Sequence, residues 1–305
     1  MSFPEYGTIA AIATAPLEAG IGVIRLSGPD ALSVGQAVFS FKSPPKDIRP
    51  GRLYYGSVVD PLNSSIIDNG FLVYMKGPAS YTGEDVVELQ LHGSPVALRK
   101  ALEAVLRSNV RIAGPGEFTR RAFLNGRLDL AQAEAVIDVI RARTDDALKS
   151  AQARLEGRFS AKVNLLKQGV FGLLSRIEAE LDFPEEEDTG SMPMDALLAD
   201  IEASTDGVKK LLLTFEEGRA LRQGVKTLIL GRPNAGKSSL LNILLEEERA
   251  IVTEFPGTTR DIIEEAVNIK GVPFILMDTA GLRESADFIE SIGVRKAKEK
   301  IATAD

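Results

Sequence analysis

The chain has 305 residues, 44% of them apolar and 26% charged, which is ordinary globular usage and excludes a collagen-like or disordered polymer. That length exceeds what one core commonly supports, so two or three domains are expected. There is no cysteine, which rules out disulfides and thiolate metal sites and suits a reducing cytoplasm, and the net charge of −7 leaves only local basic surfaces for any polyanion.

The chain opens MSFPEYGTIA, without a basic segment leading into an apolar one, and nowhere do about eighteen apolar residues run together, so neither secretion nor a membrane span is expected. Residues 1–118 alternate short apolar runs with turn signals, predicting strands over Thr8–Ala13, Gly22–Ser27, Arg52–Val59, Gly70–Lys76 and Asp85–His92. Pro29–Phe39 and Pro95–Arg107 carry helical spacing, so this part reads as an α+β domain with a mixed sheet. Strict alternation in Asp85–His92 turns Val87, Leu89 and Leu91 to the core and leaves Glu88 and Gln90 on the opposite face. His92 lies in a turn context without metal-ligand companions at useful spacing and reads as structural. Arg99, Lys100, Arg107, Arg111, Arg120, Arg121 and Arg127 form the most basic stretch of the acidic chain, suited either to nucleic-acid phosphate or to solvated helix faces.

From 119 to 220 the pattern becomes helical. Thr144 ahead of Asp145 and Asp146 predicts an N-cap, and Leu148, Ala151, Leu155, Phe159, Val163 and Leu166 follow as an apolar seam. After the acidic run Glu185–Asp188, read as a solvated loop, a second seam comprises Leu197, Ile201, Val208, Leu211 and Phe215. Two long antiparallel helices are the simplest arrangement.

Residues 221–305 begin a third, βαβ-type domain with strands expected at Val225–Leu230 and Pro273–Met277. The sequence stops at Asp305, short of a complete nucleotide-binding domain, so a longer parent chain is expected. Gly231-Arg232-Pro233-Asn234-Ala235-Gly236-Lys237-Ser238 fits the P-loop pattern, between a predicted strand and the helix-like Ser239–Leu245. Glycines there let backbone N–H groups close round phosphate oxygens, Lys237 neutralises phosphate charge, and Ser238 offers an oxygen to Mg²⁺. Asp278-Thr279-Ala280-Gly281 follows the last strand, where the carboxylate can hold Mg²⁺ through water and the glycine N–H can meet a γ-phosphate. Between them, Pro256-Gly257-Thr258-Thr259-Arg260-Asp261 can place a threonine hydroxyl on Mg²⁺. Three such motifs in this order predict a nucleoside-triphosphate-binding and hydrolysing domain, and the combination of D-T-A-G with G-T-T-R-D resembles that of GTPases, which implies GTP and GDP as the nucleotides. The N-K-x-D segment that reads guanine does not occur. Leu282 stands where many small GTPases carry the water-orienting glutamine, and spacing alone does not choose among Glu284, Asp287 and Glu290 as a replacement.

Several stretches are more distinctive than these motifs: V-I-R-L-S-G at 23–28, Y-T-G-E-D-V-V-E-L at 81–89 and P-G-E-F-T-R-R-A-F-L-N-G-R-L-D-L-A-Q-A-E-A at 115–135. With G-R-P-N-A-G-K-S-S-L-L-N, G-T-T-R-D and D-T-A-G-L-R-E they closely resemble the MnmE (TrmE) family of bacterial tRNA modification GTPases, and the likeness spans the chain. The resemblance implies an N-terminal α+β folate-binding domain that also forms a homodimer, a helical domain, and a P-loop GTPase domain inserted within the helices. It implies the addition of an aminomethyl or carboxymethylaminomethyl group to the wobble uridine of tRNA, with a folate such as 5-formyltetrahydrofolate supplying the one-carbon unit. The FAD- and NADH-dependent protein MnmG (GidA) is the implied partner.

Motif by motif, the resemblance puts folate contacts at Arg25, Glu88 and Arg127; a carboxylate suits the N–H donors of a pterin and an arginine suits an anionic tail. It puts nucleotide contacts at Asn234, Ala235, Gly236, Lys237, Ser238 and Ser239, at Thr253, Glu254, Phe255, Pro256, Gly257, Thr258 and Thr259, and at Asp278, Thr279, Ala280 and Gly281. Mg²⁺ would be held by Ser238 and Thr259, and K⁺ by Asn234, Thr253, Thr258 and the carbonyl of Phe255. Potassium would then stabilise transition-state charge in place of an arginine finger, pairing of two G domains would complete its cage, and Glu290 would orient or activate water. The competing expectations are an RNA- or ribosome-binding assembly GTPase without group transfer, separated by folate binding, and a P-loop ATPase or kinase, separated by nucleotide preference.

Overall fold

The computed structural model describes residues 7–182, 194–229, 236, 239–240, 243–244 and 265–276. These fall in two compact units, residues 1–133 and 134–305.

The first unit is built on a mixed sheet of seven strands: β1 (Thr8–Ile12), β2 (Ala19–Ser27), β3 (Phe39–Phe41), β4 (Leu53–Val59), β5 (Ile66–Met75), β6 (Val86–Gly93) and β7 (Val110–Ile112). Their spatial order is β3-β4-β5-β6-β2-β1-β7; β7 runs parallel to β1 and every other neighbour is antiparallel. The five strands expected from alternation are present. The sequence missed β3 and β7, edge strands of three residues each, too short for a period of two to register.

Two helices follow strands of this sheet: α1 (Ala31–Ala37) and α2 (Pro95–Leu106). Helix α2 starts where Ser94 caps it, accepting from Ala97 N at 3.4 Å, with Pro95 in the first turn where its missing N–H costs nothing. Along β6 the alternation holds as read: Val87, Leu89 and Leu91 are buried, while Glu88 and Gln90 are partly exposed on the other face. The core lies between the helices and this strand face, joining Ile24, Leu26, Leu72, Val87 and Leu89 to Val34, Leu98, Ala101 and Val105. Gly22 exists because Leu98 of α2 presses on it; a Cβ there would lie 2.5 Å from a leucine methyl.

The opposite sheet face is treated unequally along its strands. At one end, the register row Ile9–Ser27–Val86 is fully buried, and α3 (Glu117–Leu124) reaches it, with Arg121 Nη1 donating to Ser27 O at 3.5 Å. Two rows along, Val23, Gln90, Phe71 and Tyr55 are register neighbours, and Tyr55 and Phe71 are exposed with ring centres 5.4 Å apart.

The second unit contains α4 (Leu130–Arg141) from Glu134 onward, α5 (Asp145–Leu155), α6 (Arg158–Asp182), α7 (Met194–Leu213) and α8 (Phe215–Gln223). Thr144 caps α5 as expected, accepting from Ala147 N at 3.1 Å. The first seam is not one helix: it breaks between α5 and α6 at Gly157, whose φ of 81° is left-handed and open to glycine at little cost. Helices α6 and α7 are antiparallel, because Leu166 packs at Gly207, Gly169 lies near Ser204 and Arg176 pairs with Asp200 at 2.7 Å. Phe215, placed in the second seam, begins α8 instead.

A small sheet of order β8-β10-β9 completes this unit, with β8 (Val225–Thr227), β9 (Glu265–Ile269) and β10 (Val272–Leu276). Strand β10 is parallel to β8, as a βαβ pattern requires, and antiparallel to β9, a strand the sequence did not reveal. The hairpin turn at Lys270 and Gly271 adopts positive φ at both residues and is held by Thr144, whose hydroxyl donates to Gly271 O at 2.7 Å. No described helix is long and apolar enough to cross a membrane.

Candidate functional site

The register of β2 against β6 sets Arg25 opposite Glu88, although the two are 63 positions apart. Both point away from the helix-covered face. Arg25 Nε and Nη2 donate to the same carboxylate oxygen, Glu88 Oε1, at 2.9 and 2.8 Å. The other oxygen, Oε2, receives only Gln90 Nε2, at 3.5 Å, among the described residues. The side chains are 29% and 16% exposed, so the pair is shielded enough to hold its geometry yet reachable from solution. Two rings lie by the guanidinium, Tyr81 at 5.6 Å and Phe118 at 5.7 Å from centroid to Cζ. They come from different segments, the loop before β6 and the first turn of α3, and Tyr81 OH reaches Thr119 Oγ1 at 2.8 Å.

Arg127 enters from the turn after α3. Gly126 takes φ 69°, and Arg127 N donates to Ala122 O at 2.8 Å. Its aliphatic stem lies along Gly83, where an added Cβ would sit 3.3 Å from Cγ, two residues from Tyr81. Its guanidinium makes no hydrogen bond or ion pair among the described residues and is exposed. Arg25 and Glu88 are therefore brought into direct contact, and Arg127 onto the loop that carries one of their flanking rings.

That loop, residues 77–85, is pinned at both ends. Asp85 accepts from Tyr74 OH at 2.8 Å and from Gly77 N at 2.9 Å. Burial, and then the Asp85 carboxylate, push the Tyr74 phenol up to about 12, so it stays a donor through the neutral range. Thr82, fully buried, meets Ser27 Oγ at 2.7 Å, and its carbonyl accepts from Asn125 Nδ2 at 2.8 Å. Ser27 Oγ also donates to Glu84 Oε2 at 2.7 Å, which takes Arg121 Nη1 at 2.9 Å. Glu117 closes the cluster, accepting from Arg111, Arg121 and Gly114 N. Burial would raise its pKa, but the hydrogen bonds from Arg111 and Gly114 and the charges of Arg111 and Arg121 outweigh that and hold it at about 2.

This arrangement also sorts the basic stretch. Arg99 pairs with Glu103, Arg107 with Asp60, Arg111 with Glu117, and Arg121 with Glu84 and Glu117. Lys100, Arg120 and Arg127 are exposed, so much less of the stretch is available to a polyanion than its composition suggests. His92 is exposed and pairs through Nδ1 with Asp68 at 2.8 Å. Among the described residues no group of three or more His, Cys, Asp or Glu could hold a metal.

Of the expected nucleotide site, Gly236 and Ser239 are described. Gly236 has φ 85°, its carbonyl accepts from Leu240 N at 2.9 Å, and residues 239–240 and 243–244 are helical, as expected after a P-loop. Asn234, Ala235, Lys237, Ser238, Thr253, Glu254, Phe255, Pro256, Gly257, Thr258, Thr259, Asp278, Thr279, Ala280, Gly281 and Glu290 lie outside the described residues.

Sequence reasoning did not single out Tyr81 or Phe118 and counted Arg121 only as surface charge. The signal available was an aromatic residue inside each of two distinctive polar stretches, at 81–89 and 115–135.

Residues 8–127 match the family described as GTP-binding protein TrmE N-terminus, and residues 130–303 match the MnmE helical domain. A protein named tRNA modification GTPase MnmE from Clostridioides difficile is 52% identical over 300 residues, covering 98% of this chain and 65% of that protein. The protein of the same name from Geobacter sulfurreducens is 52% identical over 298 residues with the same coverage, and that from Carboxydothermus hydrogenoformans is 48% identical over 301. The chain thus spans about 65% of the length of the curated relatives it matches.

Proposed function

The chain belongs to the MnmE family of tRNA modification GTPases, and on that premise we propose that it is a potassium-activated GTPase that uses a folate one-carbon unit to modify the wobble uridine of tRNA. The observation that carries the folate part is the Arg25–Glu88 pair, shielded on one side by α3 and bordered by two aromatic rings. Glu88 Oε2 has lone pairs to accept the N–H and amino donors of a pterin, while Arg25 orients the carboxylate through Oε1. Arg127, exposed and uncommitted to any described acid, suits the anionic glutamate tail. A reduced folate would supply the one-carbon unit; the residues bind and orient it.

For the GTPase part the support is the order of three phosphate-binding motifs and the helix start behind Gly236. Lys237 would neutralise phosphate charge, Ser238 and Thr259 would hold Mg²⁺, and Asn234, Thr253, Phe255 and Thr258 would hold K⁺. Glu290 would act on water. Pairing of two copies through the first unit is supported by the exposed apolar stripe of Leu53, Tyr55 and Phe71 on its open sheet face. The partner is the FAD-dependent protein MnmG, and the location cytoplasmic.

The test is calorimetric titration of the full-length protein with 5-formyltetrahydrofolate, beside Glu88→Ala and Arg127→Ala. Binding by the wild type that both substitutions abolish supports the reading. No binding by the folded wild type removes it and brings forward an RNA- or ribosome-binding assembly GTPase.

A further inference from the structure

Arg121 is the least exposed arginine of the first unit's charged cluster, at 6%, and it touches four separate segments. Nη1 donates to Ser27 O at the end of β2 and to Glu84 Oε2 in the loop before β6; Nη2 donates to Gly7 O ahead of β1 and to Glu117 Oε1 on its own helix. A planar fork of five donors can satisfy such a set, and a lysine cannot. The consequence lies along two of these segments. Phe118 follows Glu117, and Tyr81 precedes Thr82, which is bound to Ser27 and, through Asn125, to the end of α3. The two rings beside Arg25 therefore stand on segments that the buried Arg121 guanidinium ties together, beside the Asn125–Thr82 and Tyr81–Thr119 bonds.

We propose that Arg121 is a positioning residue of the candidate ligand site, acting through Tyr81 by fixing the 80–84 loop against α3 so that the ring stands beside Arg25 and a bound heterocycle. This rests on the folate reading and adds to it a residue that touches no ligand and a ring that does. A surface ion pair would leave the site indifferent to its loss. Here four acceptors share one side chain, so loosening it weakens the hold on the loop and on α3 at once.

The test is a double-mutant cycle on 5-formyltetrahydrofolate binding by the full-length protein, using Arg121→Lys, Tyr81→Leu and the double variant, each shown to be folded by its melting transition. Expected is about a tenfold or greater loss of affinity in each single variant, with the double variant no weaker than the weaker single, because one acts through the other. A folded Arg121→Lys that binds like wild type overturns the inference, as do losses that multiply in the double variant, which mark a general structural role. Should Arg121→Lys fail to fold, Thr82→Val takes its place: it keeps the shape, deletes the hydroxyl that meets Ser27, and is expected to couple with Tyr81→Leu in the same way. No binding by the folded wild type overturns the folate reading and this inference with it, whereas wild-type binding with an uncoupled cycle overturns this inference alone.

Discussion

The seven-stranded unit and the α6–α7 pair use apolar residues in similar measure but bury them very differently. In the first, Ile24, Leu26, Leu72 and Leu89 are inaccessible to solvent, sealed between strand face and helices. In the second, neither α6 nor α7 has a buried residue, and Leu165, Leu181, Leu212 and Leu213 are each more than 60% exposed. Two helices side by side offer each other one narrow stripe, whereas a sheet covered by helices encloses a volume. Charged pairs divide the same way: Arg121 is enclosed by its acceptors, while Arg176–Asp200 on the helices is about half exposed at each partner. Identical chemistry therefore carries different weight in the two places.

That contrast can be broken by substitution. Arg121→Met, which removes the cationic partner of Glu84 and one partner of Glu117, is expected to cost about 3 kcal/mol or more in the unfolding of the first unit. Arg176→Ala is expected to cost less than about 1 kcal/mol, both read by chemical denaturation. Leu89→Ala should cost about 2–5 kcal/mol through the cavity it leaves, against about 0.5 kcal/mol or less for Leu165→Ala; equal effects would mean that α6 is covered in solution.

Between these extremes stands the α5 cap. Thr144→Val loses the bond from Ala147 N and the one to Gly271 O, and about 1–2 kcal/mol of second-unit stability should go with them, seen as a lower melting temperature and faster amide exchange in the β9–β10 turn.

Acid isolates the contribution of Glu117. Its folded pKa of about 2 lies below the ordinary 4.5, so the stability it contributes is fully present above 4.5 and is lost as pH falls towards 2. In Glu117→Gln the first unit should lose less stability over that interval than wild type does, measured by melting at successive pH values. An unchanged acid slope would show that other carboxylates dominate.

Much of this could be read before folding was considered. The alternation in Asp85–His92 placed Glu88 opposite the core because a strand's side chains must alternate, and Thr144 announced a helix start because its hydroxyl can satisfy a free N–H. Gly157 was hidden within a helical period, since apolar spacing continued across a residue whose backbone turned left-handed. Strands β3 and β7 had too few residues to show a period, whereas β9 stood before a turn signal, Gly271, that could have marked it.

The sequence by itself determined which residue types were present for the proposed phosphate and folate contacts, the strand that presents Glu88, and the family to which the chain belongs. Tertiary structure alone decided that Arg25 meets Glu88, that Tyr81 and Phe118 flank them, and that Arg121 is a buried tie instead of a surface charge. Local patterns report which way a side chain points along its own element; strand register and helix docking, which join residues far apart in the chain, are set by the packing of the whole unit.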